Sequence, residues 1–462
     1  MTAPLPQDLV EHGLKRSTAD DCVVTVHDST SANLRWANNT LTTNGVMHDV
    51  TATVVSFART SAGVSSGSVT GSATTRDQVA ALVEAADAAA RGNPPAEDAA
   101  DLVEASASAD WDEAPEGTSI DVYADFAPAL GEAFGAAAGD HRVLYGFVDH
   151  EVTTTYLGST TGLRLRHVQP TGHYGVTAKP SDLSGSAWVG GATRDFKDVD
   201  PLALDQELSR RLAWGRRRVE LPAGRYDTIL PPTAVADLMI YAYWSAGARE
   251  AHDGQSVFSR AGGGTRIGER LSSRSVRLFS DPAHAGLEAG PFVTAAASTN
   301  TSSVFDNGLP LSRTDWIADG TLRALVQTRH SATLTGQPVT PAIDNLVLGV
   351  DDARGSLDTL VGDTERGLLL TCLWYIRVVE PQTLLLTGLT RDGVYLVENG
   401  EVTGAVNNFR FNESPVDLLD RFSVASETEP AFSREWGDYF SRTAMPALRV
   451  PDFNMSSVSQ AS

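Results

Sequence analysis

Between residues 22 and 71, apolar and polar positions alternate and β-branched side chains are frequent. The runs are Cys22-Val-Val-Thr-Val-His27, Ala32-Asn-Leu-Arg-Trp-Ala37 and Asp49-Val-Thr-Ala-Thr-Val-Val-Ser-Phe57. A period of two in such residues predicts a strand meander. Asn44-Gly45, a favoured hairpin pair, predicts the turn between the second and third strands. The period then changes: Val79, Leu82, Val83, Ala86 and Ala90 recur at helical spacing. That predicts a helix from Thr75 or Arg76 through Arg91, stopped by Gly92-Asn-Pro-Pro95.

The acidic, Ala- and Ser-rich stretch from Ala96 to Gly117 reads as an exposed loop. Val122, Phe126, Leu130 and Phe134 at i+4 intervals predict a second helix over Ile120 to Ala138. Strand patterns return at Val143 to Val148, Val152 to Leu157 and Leu163 to Val168, and a third helix is expected over Asp200 to Leu212. Strands, two helices, strands and a helix predict an α+β N-terminal domain, residues 1–215, built on an antiparallel sheet. The basic triplet Arg216-Arg217-Arg218 marks the passage to a second domain, residues 216–462. It reads as a solvated linker or an interface patch. Pro231-Pro232 starts a long helix running to about Ala251, and the short strands and Gly, Asn and Asp turns beyond it predict a β-rich domain around that helix.

At 462 residues, with 42% hydrophobic and 20% charged residues, the chain suits two globular domains. No apolar run reaches the roughly 18 to 20 residues that span a bilayer, and Met1 to Asp8 lacks the basic and apolar regions of a secretory leader. Cys22 and Cys372, far apart and flanked by apolar residues, read as buried reduced thiols, consistent with a cytoplasmic protein. A formal charge of −22 repels phosphate backbones, so no nucleic-acid partner is expected, and none in a membrane.

From Gly367 to Asn412 the chain reads as strands joined by tight turns at Asp392-Gly393 and Asn399-Gly400. It ends in Met445-Pro-Ala-Leu-Arg-Val-Pro-Asp-Phe-Asn-Met-Ser-Ser457. This block resembles the C-terminal domain of the TldD/PmbA family, and the resemblance extends from about Val23 to Ser457. Within the family the chain is similar to the TldE (PmbA) branch. The resemblance implies a heterodimeric metallopeptidase acting on flexible peptides, in which the TldD-like subunit carries zinc on a His-Glu-x-x-x-His helix and a cysteine near the C-terminus completes the metal shell.

A zincin-type site needs imidazoles that reach one ion from one helix, with a carboxylate to polarise the bound water. No two of the ten histidines stand four or five residues apart, and the single His-Glu pair, His150-Glu151, lies in a strand pattern. With Gly247 and Ser256 as anchors, the family pattern places the first ligand on Tyr243, the catalytic glutamate on Trp244 and the second histidine on Ala248. Cys372 stands well before the place of the late cysteine, and Trp436 to Pro446 contains none. The expectation is therefore a chain with no catalytic residue and no metal of its own, and zinc in a TldD-like partner. Unfolded or precursor peptides would be the substrate.

Glu250, His252, Arg329 and His330 are the candidates for lining a peptide cleft, although a histidine near a helix C-terminus is commonly a surface cap. Gly63-Val-Ser-Ser-Gly67 matches the string of a nucleophile elbow, but the helix does not follow at once, so a glycine/serine hairpin turn is the preferred reading. Gly262-Gly-Gly264 lacks the ending of a phosphate loop and reads as a loop. Two other classes remain open: a self-standing hydrolase using a serine such as Ser65 or Ser256, and a homo-oligomeric scaffold.

Overall fold

The computed structural model describes residues 4–459, so residues 1–3 of the stretch read for a leader lie outside it. The chain opens with a helix that the pattern reading passed over, α1 (Pro6–Arg16), which buries Leu9 and Val10. It is followed by β1 (Asp21–Ala37), β2 (Thr40–Thr60), β3 (Gly63–Ser72) and α2 (Arg76–Gly92). Next come α3 (Phe126–Gly139), β4 (Arg142–Ser159), β5 (Arg164–Pro180), β6 (Ala187–Thr193) and α4 (Pro201–Trp214). The six strands form one antiparallel sheet in the order β3-β2-β1-β4-β5-β6.

All four helices cover one face of this sheet. Ala32, Leu34 and Trp36 of β1 meet Phe126 and Leu130 of α3 and Leu208 of α4, while Cys22, Val24 and Val26 meet Leu9 of α1 and Val79 and Val83 of α2. Same-parity positions of a strand share a face, so the pleat itself aligns them. Helix α2 starts where expected, because Thr75 and Gln78 form a capping box.

Several expectations are corrected. The first hairpin turns at Asn38-Asn39, not at Asn44-Gly45: both asparagines take left-handed φ of 50° and 57°, which asparagine tolerates better than most residues. Asn39 is held there by β4, its Nδ2 donating to Arg142 O at 2.9 Å and its Oδ1 accepting from Leu144 N at 2.6 Å. Asn44 and Gly45 lie inside β2, opposite Leu34 and Asn33. Ile120–Tyr123 is a separate 3₁₀ turn, because Tyr123 is drawn into the core and donates to Ala32 O at 2.6 Å. The loop from Ala96 is not exposed throughout: Leu102 and Val103 pack on Val23 and Phe57, and Ala107 bridges to Arg164.

Beyond β7 (Arg218–Val219) and β8 (Gly224–Leu230) come α5 (Pro232–Trp244) and α6 (Ala248–His252). The expected single long helix is therefore two. Between them Ala248 N donates to Val326 O at 2.9 Å and Val326 N to Ala246 O at 2.8 Å, so the backbone leaves the helical ladder to pair with a distant segment. Residues Ala234 to Ile240 of α5 are fully buried. They share one core with Leu278, Trp316 and Leu348 of a six-stranded sheet and with Leu368, Phe409 and Phe453 of a ten-stranded sheet.

In the ten-stranded sheet β8 lies between Arg366–Leu370 and Leu448–Val458, so its neighbours come from much later in the chain. Asn399-Gly400 does join a hairpin, Val394–Glu398 with Glu401–Val406. Asp392-Gly393 does not, because Leu385–Thr390 pairs with Leu373–Glu380 and Phe409–Glu413 and not with the strand that follows it. Cys372 sits in a link between strands and not within one. Both cysteines are buried and free, and burial pushes both thiols up to about 12. No helix among the described residues is long and apolar enough to cross a membrane.

The two halves meet on the sheet face opposite α1–α4. Val23, Phe57 and Leu157 pack on Phe292, Val304 and Phe305, and Ser298 and Ser303 both donate to Asp98 Oδ2 at 2.6 Å.

Candidate functional site

Next to this seam lies a cavity of about 480 Å³. His167 and Gln169 enter it from β5, Tyr243 and Trp244 from the end of α5, and Tyr439 and Phe440 from the segment before the last strands. Alternation along β5 aims His167 and Gln169 at the second half, where Gln169 Nε2 donates to Glu288 O at 3.2 Å. Partial burial at the joint lowers the pKa of His167, while Asp344 on the opposite wall is exposed and pairs with the Arg442 guanidinium at 2.5 Å.

The three positions that the family pattern assigns to zinc chemistry fall on both sides of the helix break. Tyr243 Oη donates to Ile343 O at 3.0 Å and accepts from Ile343 N at 2.8 Å. Burial also pushes its pKa up, so the phenol is held neutral, with its proton and one lone pair committed to Ile343. Trp244 is 43% exposed and stands edge-on to Trp436 at 5.3 Å, while Ala248 is fully buried. A neutral phenol, an indole and a methyl group do not fit a zinc ion, which requires imidazole, thiolate or carboxylate donors. Among the described residues no group of three His, Cys, Asp or Glu side chains is placed to hold a metal.

The other candidates lie nearby, but none lines this cavity. Glu250 Oε1 accepts from Asn300 Nδ2 at 2.9 Å, and its Oε2 is buried without a partner. His252 is the exposed last residue of α6. Arg329 is a clamp on the seam: its Nε donates to Asp306 Oδ1 at 2.7 Å and its Nη1 to Asp101 O at 2.7 Å. His330 Nε2 is 3.3 Å from Arg249 Nη1 and 3.5 Å from Glu97 Oε1. The structure thus brings Arg329 and His330 to the joint between the halves.

Neither candidate serine is set up as a nucleophile. Ser65 lies within β3, where its Oγ contacts Ala90 O at 2.5 Å and Ala58 O at 3.3 Å, and it is 3% exposed. Ser256 is 7% exposed, and its Oγ accepts from Phe258 N at 3.2 Å. What the cavity offers is an aromatic wall with hydroxyl and amide edges, a surface suited to binding apolar side chains. His167, Gln169 and Asp344 were missed from the sequence, since only the folded register of β5 and the loop before Leu346 bring them there.

Three solved structures share the fold across nearly the whole chain. TldE from Thermococcus kodakarensis is 16% identical with a TM-score of 0.77, covering 97% of this chain and 99% of that one. A protein from Thermotoga maritima described as a putative modulator of a DNA gyrase is 15% identical with a TM-score of 0.72, covering 94% and 95%. A protein from Bacteroides thetaiotaomicron with a similar description is 13% identical with a TM-score of 0.74, covering 98% of both chains. No curated protein matches. The family model for the PmbA/TldA metallopeptidase C-terminal domain matches residues 223–457, the span that holds β8, α5, the helix break and all but β7 of the strands in both later sheets. With more than half its length matched by that model, the chain belongs to the PmbA/TldD family.

Proposed function

We propose that this chain is a TldE-like, non-catalytic subunit that completes a metallopeptidase with a zinc-bearing TldD-like partner, in the cytoplasm. The observation that carries the reading is the Tyr243–Ile343 pair, a phenol committed to structure where the family resemblance expects a metal ligand. In this reading the aromatic cavity forms part of an enclosed chamber and receives apolar side chains of unfolded or precursor peptides. The similarity to a TldE structure supports the assignment to that branch.

The test is a peptidase assay, with and without chelator, of the chain alone and with a TldD-like protein from the same genome, plus metal analysis of each. The expected result is cleavage only by the pair, abolished by chelator, with zinc in the partner. Stoichiometric zinc and chelator-sensitive cleavage by this chain alone would overturn the reading.

A further inference from the structure

The basic triplet is not accounted for by that reading. It borders a second cavity, of about 1000 Å³, which shares no lining residue with the aromatic one. One wall is the connection from β5 to β6, another is the end of α4, and the floor is the outer edge of the ten-stranded sheet. In a chain with 58 acidic and 36 basic residues, this wall brings together Lys179, Arg211, Arg216 and Arg218 against Glu220 and Asp392.

The internal pairings leave the cavity with unspent positive charge. Arg211 is paired with Glu207 at 2.6 Å, and Asp392 with Arg391 at 3.5 Å. By contrast, the Arg216 guanidinium and the Lys179 ammonium have no carboxylate partner among the described residues, and Arg218 donates only to Ser184 O. Asn407 on the same wall has its Nδ2 buried without a partner. Arg216 and Arg218 without a carboxylate partner, together with Lys179, whose ammonium stands 5.8 Å from the Tyr145 ring, outnumber the wall's acidic side chains and favour an anion.

The kind of anion follows from the rest of the lining. Tyr395, the aromatic residue on the wall, is 2% exposed and its ring stands edge-on to Trp214, so it presents no face for stacking a base. Leu183 on the wall is 59% exposed and supplies an apolar contact. Strand β7 pairs on one side with Ala405 and Val406 and ends the sheet, so its other side is open to an extended chain. We infer that this cavity, built by Lys179, Arg216, Arg218 and the open edge of β7, binds an acidic peptide segment. Its carboxylates meet the guanidinium forks.

The test uses the full chain and a fluorescein-labelled, end-blocked peptide of alternating Glu and Leu, with the same peptide carrying Gln for Glu as the comparison. Fluorescence anisotropy should show binding of the Glu peptide only, weakening as salt rises. Arg216→Glu with Arg218→Glu should weaken it roughly tenfold or more. Lys179→Gln with Arg216→Gln should weaken it in the same direction, with unchanged circular dichroism in both variants. The equal-charge control Arg76→Glu with Arg366→Glu should bind like the parent. Failure of the Glu peptide to bind, equal binding of the Gln peptide, or equal loss in the control would overturn the inference. So would binding of tripolyphosphate without binding of the peptide. None of these outcomes depends on a TldD-like partner, so the inference and the subunit assignment fail separately.

Discussion

Tyr243 Oη bonds both the carbonyl oxygen and the amide nitrogen of Ile343, at 3.0 and 2.8 Å, and so ties the end of α5 to the loop before Leu346. Tyr243→Phe would leave two buried backbone groups unpaired. The expected cost is about 1–3 kcal/mol for each group left without a partner, measured by urea unfolding, with no change in the zinc content of the purified chain.

Asp237 is fully buried in α5, and burial pushes its carboxyl up to about 7, against the opposing hydrogen bonds from Ser433 and Glu435 N. A carboxyl with a raised folded pKa binds more protons folded than unfolded, so its contribution to stability is present below the unfolded pKa and lost as pH rises to about 7. His150, which is buried, and the half-buried His27, His167 and His173 have pKa values lowered by desolvation and act in the opposite sense. Asp237→Asn removes only the carboxyl component. The variant should therefore gain stability relative to the parent on going from pH 5 to pH 8, read from paired denaturation curves.

Gly67, the last residue of the elbow-like string, lies where β3 touches α2 backbone to backbone. A Cβ there would stand 2.3 Å from Ala90 N and 2.5 Å from Ala86 O. Gly67→Ala should cost about 1–3 kcal/mol or more through overpacking that a rotamer change cannot relieve. Ser65→Ala should leave the activity of an assembled pair intact, which separates a packing motif from a nucleophile.

Arg329 meets Asp306, which is 2% exposed, and reaches Asp101 O and Phe305 O. Arg329→Met would strand that carboxylate at the seam. A loss of roughly 2–3 kcal/mol is expected, with faster proteolysis in the loop around Asp101.

Trp244 is well exposed at the aromatic cavity and leans on Trp436 and Phe440. In an active pair, Trp244→Ala should raise KM for peptides with large apolar side chains several-fold while kcat holds. Loss of kcat with KM unchanged would place this residue outside the binding surface.

Local pattern was enough for the strands of the first sheet, for α2 and α4 and for the Asn399-Gly400 hairpin, because the pleat, the helix cap and the turn are set by near neighbours, although the sheet itself is closed by β1 pairing with β4 over a hundred residues on. It failed wherever a distant partner decides. The Pro232 helix breaks because Val326 claims the backbone at Gly247, and Ala248 to Ala251 are good helix formers that conceal the break. The turn moved to Asn38-Asn39 because Asn39 bonds to β4, about a hundred residues on. The family pattern did direct attention to Tyr243 and Trp244, which line the aromatic cavity, yet it held no trace of Ile343, His167 or Asp344.

Strand β8 lies between two strands that follow it by well over a hundred residues, Arg366–Leu370 and Leu448–Val458. Such a pairing closes a very long loop, which is slow to form. On the ribosome, β8 must therefore wait without its sheet neighbours until Leu448–Val458 has been made. The first sheet, whose strands are all made by Thr193, can fold long before. The order of translation thus sets an interval in which half of the molecule is finished and the other half depends on protection from aggregation.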